Sequence, residues 1–342
     1  MPNKTNTPLF LWLTVVLILI GSFCELAILL VLHRHDLAYF SLNGLGVVEG
    51  TPLGKVYQNR LLGPVLAWAL SRVFGHFEVC FYVLFCAFWT SANVIMYLSA
   101  LRLTRREDQA RRAVASFILL TLILFWQKGT IFYLWDALDA VFFTLFAYAI
   151  FTRCATKYLV SLFLLELLNR EAALFISVWM MLSAFTLSKV SSGKALSLKE
   201  PARLGIGFAL ALSCIVLVRV TRDALFRHDL LPNMVLPSAV HLVLGNYWLP
   251  SLNLQVIVGG LKHPSPVSLA TFGVYPALAA FVFFQRNRLT PYLVQVMVLL
   301  ALMMISNFCF ANAGELRTWI DLLPLLILFH FSREGRDPET AR

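Results

Sequence analysis

Asn169, Arg170 and Glu171 interrupt an apolar run that extends from Tyr158 to Leu187. A charge at the bilayer centre costs about 2.5–3.5 kcal/mol on insertion scales, so an Arg–Glu pair in such a run does not face hydrocarbon. The run is about 30 residues, too long for one span and short for two, because a full crossing takes about 20. Arg153 and Lys157 precede it, and Lys189, Lys194 and Lys199 follow it. Basic flanks stay on the cytoplasmic side. The stretch therefore reads as a hairpin of two short helices. Both feet are in the cytoplasm, and the Arg–Glu tip is at the floor of an outward-opening cavity.

The rest of the chain fits that setting. It is 59% hydrophobic and only 13% charged, where soluble domains carry about 25% charged residues. The mean hydropathy is +0.77. The fold class expected is an all-α polytopic bundle forming a single transmembrane domain over 1–342. The net charge of +10 is not a nucleic-acid signal, because the Lys and Arg residues cluster in short segments between apolar runs and act as topology markers. The six cysteines form no CxxC pair and read as small buried hydrophobes. The first apolar run, about 8–32, is too long for a signal-peptide core and lacks a small-residue cleavage site, so it reads as an uncleaved span.

Reading onward, a polar segment 33–60 carries breakers at Gly44, Gly46, Gly50, Pro52 and Gly54. A short helix 62–74 ends at Gly75, and a second span covers 77–101. Arg102, Arg105, Arg106, Arg111 and Arg112 make the strongest cytoplasmic marker. Further spans are predicted at about 113–127, 140–151, the 158–187 hairpin, 204–220, 267–285, 292–310 and 319–331. Between the last four, 222–266 reads as an interfacial or re-entrant segment, since Tyr247 and Trp248 favour the headgroup level. A crossing at 235–258 is the alternative. The sum is about ten spans with both termini cytoplasmic and a cytoplasmic tail at 332–342. The outer loops 33–76 and 222–266 contribute to the cavity.

This topology collects Asp36, Glu49, Arg60, Asp136, Asp139, Arg170, Glu171, Glu315, Arg317 and Asp321 on the outer face. Carboxylates beside guanidiniums suit a reaction on an anionic lipid: Arg holds phosphate oxygens bidentately, while a carboxylate takes the proton of an attacking hydroxyl. Asp36, Asp136 and Asp139 are the base candidates, and Arg60, Arg170 and Arg317 the phosphate ligands. Each residue has a plainer reading. Arg170 and Glu171 can neutralise one another and lock the hairpin. Glu315 and Arg317 can solvate a turn. Asp136 and Asp139 can cap the next helix. Arg60 can snorkel, and Asp36 can end a loop. Glu25, inside the first span, pairs with another span that the sequence does not name. His33 and His35 have no second ligand pair, so no metal site is assigned.

Several short motifs carry a resemblance. Tyr57-Gln58-Asn59-Arg60-Leu61-Leu62-Gly63-Pro64, Trp135-Asp136-Ala137-Leu138-Asp139, Leu168-Asn169-Arg170-Glu171 and Glu315-Leu316-Arg317 followed by Leu323-Pro324 resemble segments of bacterial polytopic proteins. Together they look like the GT-C superfamily of membrane glycosyltransferases, which use polyprenyl-phosphate sugars. The resemblance implies a catalytic acid in the first outer loop, with Asp36 the nearest match and Glu49 second. It also implies supporting roles for Tyr57, Gln58, Asn169, Glu171, Glu315 and Asp321. The expected partners are a lipid-linked sugar donor and membrane lipid, with no nucleic acid. No cofactor is identified, and a divalent cation is compatible. The rival reading is a lipid-linked sugar transporter or flippase component, which needs charges along a path through the bilayer, such as Glu25 and Arg219. A surface-glycan polymerase or ligase shares the arginine-rich outer loops.

Overall fold

The computed structural model describes residues 8–51, 60–126, 133–186, 197–225, 290–310 and 319–334, with single positions at 254, 258, 262 and 273. Tyr57, Gln58, Glu315, Arg317 and nearly all of 222–285 lie outside the described residues. In chain order the elements are α1 (Pro8–Leu32), α2 (Leu37–Val48), α3 (Leu62–Phe74), α4 (Phe77–Thr104), α5 (Glu107–Phe125), α6 (Leu134–Thr152) and α7 (Thr156–Asn169). A 3-10 turn (Glu171–Ala173), α8 (Leu174–Ser183), β1 (Phe185–Thr186), β2 (Ser197–Leu198), α9 (Pro201–Leu225), α10 (Pro291–Phe310) and α11 (Leu323–Glu334) follow. The two short strands pair antiparallel. Among the described residues, five helices are long and apolar enough to cross a membrane: Trp12–Leu32, Phe77–Thr104, Leu134–Thr152, Pro201–Thr221 and Tyr292–Cys309.

Packing divides the chain into two units. The first comprises Met1–Val48, Leu61–Cys154 and Ile320–Arg342, the second Glu49–Arg60 and Ala155–Trp319.

In the first unit, α1 shows how the helices are held. Thr14, Ile18, Ser22, Glu25, Leu29 and His33 are buried, while Trp12, Val16, Leu19, Ile20 and Phe23 are exposed. The three- and four-residue spacing makes one stripe. Its polar groups point inward and its apolar face outward, the reverse of a helix in water. Hydrogen bonds along the stripe set the directions. Thr14 Oγ1 donates to Glu107 Oε1 (2.9 Å), Thr121 Oγ1 to Glu25 Oε1 (2.5 Å), and His33 Nε2 lies 2.9 Å from Phe125 O. The partner numbers rise together, so α1 and α5 run parallel. Asn93 bonds Ser22 and Glu25, whereas Tyr82 OH donates to Leu37 O, so α4 runs the other way. Arg102 meets Tyr148 at one end, and Phe40 packs edge-on against Tyr133 at the other, so α6 is parallel to α4. One end of this unit therefore gathers the α1–α2 turn, the start of α4, the end of α5 and the start of α6. The opposite end gathers the α4–α5 turn and the end of α6.

Three boundaries differ from the sequence reading. Residues 37–48 form a helix rather than a broken polar loop. Gly44 is there for close approach, because a Cβ on it would sit 2.7 Å from Phe81 Cε2. Gly44→Val is expected to displace that buried ring and destabilise the fold by about 1–3 kcal/mol. Thermal melting in neutral detergent measures this, and an unshifted midpoint would show that α2 does not pack on α4 this closely. The α6 helix starts at Leu134, not near Ala140, because the Asp136 carboxylate accepts from Tyr133 N–H (2.9 Å) and organises the first turn. The last helix starts at Leu323 after a turn over Trp319–Leu322. Pro324 falls in its first turn, where the missing N–H has no helical partner to lose.

Both α4 and α6 end in a left-handed residue, and in both it is an arginine: Arg105 (φ 56°) and Arg153 (φ 53°). Glycine ordinarily fills that position, and a side chain there stores about 1–3 kcal/mol of strain.

In the second unit, α7 and α8 are two short helices separated at Arg170, where the sequence places the interruption of the apolar run. Gln295 Nε2 of α10 donates to Leu182 O (2.9 Å), in the last turn of α8 where carbonyls lack helical partners, and to Phe185 O (2.6 Å) of β1.

Candidate functional site

In the first unit, Asp36, Asp136 and Asp139 sit at one end, while Glu107 and Asp108 open α5 at the opposite end. Asp36 is exposed in the turn between α1 and α2, where its N–H donates to His33 O and its C=O accepts from Phe40 N. Asp136 and Asp139 lie in the first turns of α6, 1% and 0% exposed. They were expected in a loop facing water. Starting the helix at Leu134 carries them into the packed interior instead. Asp136 takes the capping role, through the Tyr133 N–H, and the Trp135 ring stacks on the Tyr133 ring at 4.0 Å between centroids. Asn43 Nδ2 donates to Tyr133 OH (3.2 Å) and to Tyr39 O, which ties α2 to this corner. Asp321 is buried in the turn ahead of α11, a helix that packs on α4, α5 and α6.

In the second unit, the site is a break in the helix. The α7 helix stops at Asn169, and Arg170 is fully extended (φ −163°, ψ 154°), its N–H donating to Glu166 O at 2.6 Å. The 3-10 turn and α8 then restart the helical path. Asn169 is fully buried, and Arg170 and Glu171 are half-buried. Arg60 belongs to this unit and is 6% exposed, which removes the snorkelling reading for it, since a snorkelling head group stays in water. Glu49 also belongs here and is exposed.

Sequence reasoning passed over Glu166, which is fully buried one turn before the break. The signal was present: a lone carboxylate among Leu164, Leu165, Leu167 and Leu168 is as costly in hydrocarbon as Arg170. It also left Glu25 without named partners. They are Asn93, whose Nδ2 donates to Glu25 Oε2 (3.0 Å) and to Ser22 Oγ (2.9 Å), and Thr121. One carboxyl group thus joins three helices, α1, α4 and α5. Interhelical polar bonds in membranes contribute about 0.6 kcal/mol on average and up to about 1.7. Asn93→Leu, which strips two of them, is expected to lower stability by about 1–2 kcal/mol. Melting in detergent tests this, and a stabilised variant would remove the staple role.

Among the described residues, no group of three or more His, Cys, Asp and Glu side chains is placed to hold a metal ion. No family model, curated protein or solved structure matches the chain.

Proposed function

We propose that the protein is a membrane glycosyltransferase. It moves a sugar from a polyprenyl-phosphate donor to an acceptor at the outer face of the cytoplasmic membrane, in cell-surface glycan or glycolipid assembly. The observation that carries this reading is that the three candidate acids of the first unit lie together, at the end away from its arginine cluster. Asp36, Asp136 and Asp139 lie at one end, while Arg102, Arg105, Arg106, Arg111, Arg112 and Arg153 lie at the other. Short basic segments stay cytoplasmic, which turns the acidic end outward. In this reading the chain crosses about ten times, both termini are cytoplasmic, and 222–266 is a re-entrant or interfacial cap.

Asp36 is the base. It is exposed, whereas the Asp136 carboxylate is committed to the Tyr133 N–H. Asp36 takes the proton of the acceptor hydroxyl as its oxygen bonds to the anomeric carbon. The bond from that carbon to the phosphate oxygen breaks, and the polyprenyl phosphate leaves with the electron pair. Attack opposite the leaving group inverts the anomeric centre. The sequence reading assigns Arg170, with Arg60 and Arg317, to the charge that develops on the phosphate. The break after α7 supports this role, because it holds a half-buried guanidinium where no regular helix side chain would be. The transporter reading draws less support: Glu25 is enclosed by Asn93 and Thr121 in a helix contact rather than placed along a path.

The test uses membrane vesicles supplied with a radiolabelled polyprenyl-phosphate hexose. Asp36→Asn and Arg170→Ala are each expected to lower transfer by about 100-fold or more while reaching the membrane at the wild-type level. Undiminished transfer by both variants would overturn the assignment.

A further inference from the structure

Asp36 is exposed, yet the backbone that carries it is held on both sides by buried residues. Its N–H donates to His33 O (2.9 Å), and its C=O accepts from Phe40 N–H (3.1 Å). His33 and Phe40 are 1% and 2% exposed. Their rings meet at a tilt, with centroids 6.5 Å apart. The two residues that bond the Asp36 backbone therefore also pack on each other.

Each of the two has its own anchor. Phe40 meets the Tyr133 ring edge-on at 5.4 Å, just ahead of α6. His33 reaches the end of α5, where its Nε2 lies 2.9 Å from Phe125 O. A carbonyl only accepts, so Nε2 carries the hydrogen of this bond. Phe125 is the last residue of α5, where carbonyls lack helical partners. Its ring meets Trp89 at 5.3 Å. Of the four residues in the turn 33–36, His33 alone is buried. Packing by itself does not call for an imidazole there, because leucine or phenylalanine fills an aromatic pocket without the cost of burying a polar ring. What the imidazole adds is a directed bond that ties the start of this turn to α5.

We propose that His33 is a positioning residue for sugar transfer: it fixes the turn that presents the Asp36 carboxylate to the acceptor hydroxyl. This rests on the reading of Asp36 as the base. A general base works within hydrogen-bond reach of the proton it takes, and a displacement of about 1 Å can cost about 100-fold in rate. On a loose turn an exposed carboxylate wanders farther than that. The bond to Phe125 O and the contact with Phe40 hold it in place.

The experiment measures transfer of the radiolabelled hexose in membrane vesicles, beside hydrogen exchange of the purified full chain in neutral detergent. His33→Phe keeps a ring against Phe40 and removes the donor. It is expected to lower kcat about 100-fold, with KM for the lipid donor within about twofold. Exchange of the Asp36 and Phe40 amides is expected to speed up about tenfold. His33→Gln carries an amide nitrogen at the same reach as Nε2 and is expected to restore most of both. Added to Asp36→Asn, His33→Phe is expected to cost nothing more, since no carboxylate base is left to position. A merely structural His33 gives a different pattern: transfer falls only as folded protein is lost, and the two substitutions multiply. Either of those results overturns the proposal, as does a wild-type kcat in His33→Phe when Asp36→Asn is slow. Undiminished transfer by Asp36→Asn overturns the base assignment itself, and the role of His33 with it.

Discussion

Arg170→Ala is expected to lower sugar transfer by about 10²–10³-fold, the usual loss when one preorganised group facing developing negative charge is removed. The leaving phosphate gains charge only as the glycosidic bond breaks. The loss should therefore appear in kcat more than in KM. Arg170→Lys keeps the charge but loses the planar fork, so it should restore only part of the rate. The backbone at Arg170 is extended, a conformation open to any residue, so alanine leaves the break itself intact. A variant whose kcat is normal and whose KM alone has risen would make Arg170 a ground-state binding group. Asp36→Asn should lose about 10²–10⁴-fold as a missing general base. Because Asp36 is exposed, its loss should leave the melting temperature alone.

Trp89→Ala is expected to cost about 3–5 kcal/mol of stability, the range for emptying a buried tryptophan site. Its side chain is almost wholly enclosed. It stacks on Phe85 (5.4 Å between centroids) and meets the edge of Phe125 (5.3 Å), joining α4 to the end of α5. Asn93 follows one turn later on α4, so the aromatic cluster and the Glu25 hydrogen bonds brace the same helix contact. Trp89→Phe should fall between alanine and wild type because it keeps a ring against Phe125. Unfolding in mixed micelles titrated with denaturing detergent reads both variants. A Trp89→Ala protein within about 1 kcal/mol of wild type would show that the surrounding helices close the gap, the mechanism by which such losses vary between sites.

Composition and the order of apolar runs by themselves determined that this is a helical protein with membrane-crossing segments, and where α3, α4, α7, α8 and α10 lie. Hydrophobic length and the cost of charge in hydrocarbon are local properties, legible one segment at a time. The break at Arg170 was legible for the same reason. What local reading could not reach depended on partners far along the chain. Gly44 resembles a loop breaker until Phe81 is seen pressed against it. Glu25 resembles a stray charge until Asn93 and Thr121 enclose it. Asp136 and Asp139 resemble a wet turn until the Tyr133 N–H begins the helix earlier and carries both inside. Only the tertiary structure decided that Asp36, Asp136 and Asp139 share one end of the first unit, away from the arginines of the α4–α5 turn and the end of α6. Relative helix direction is set by side-chain contacts between residues about 70 to 100 apart in sequence, such as Ser22 with Asn93 and Glu25 with Thr121, and those contacts leave no local trace in the chain.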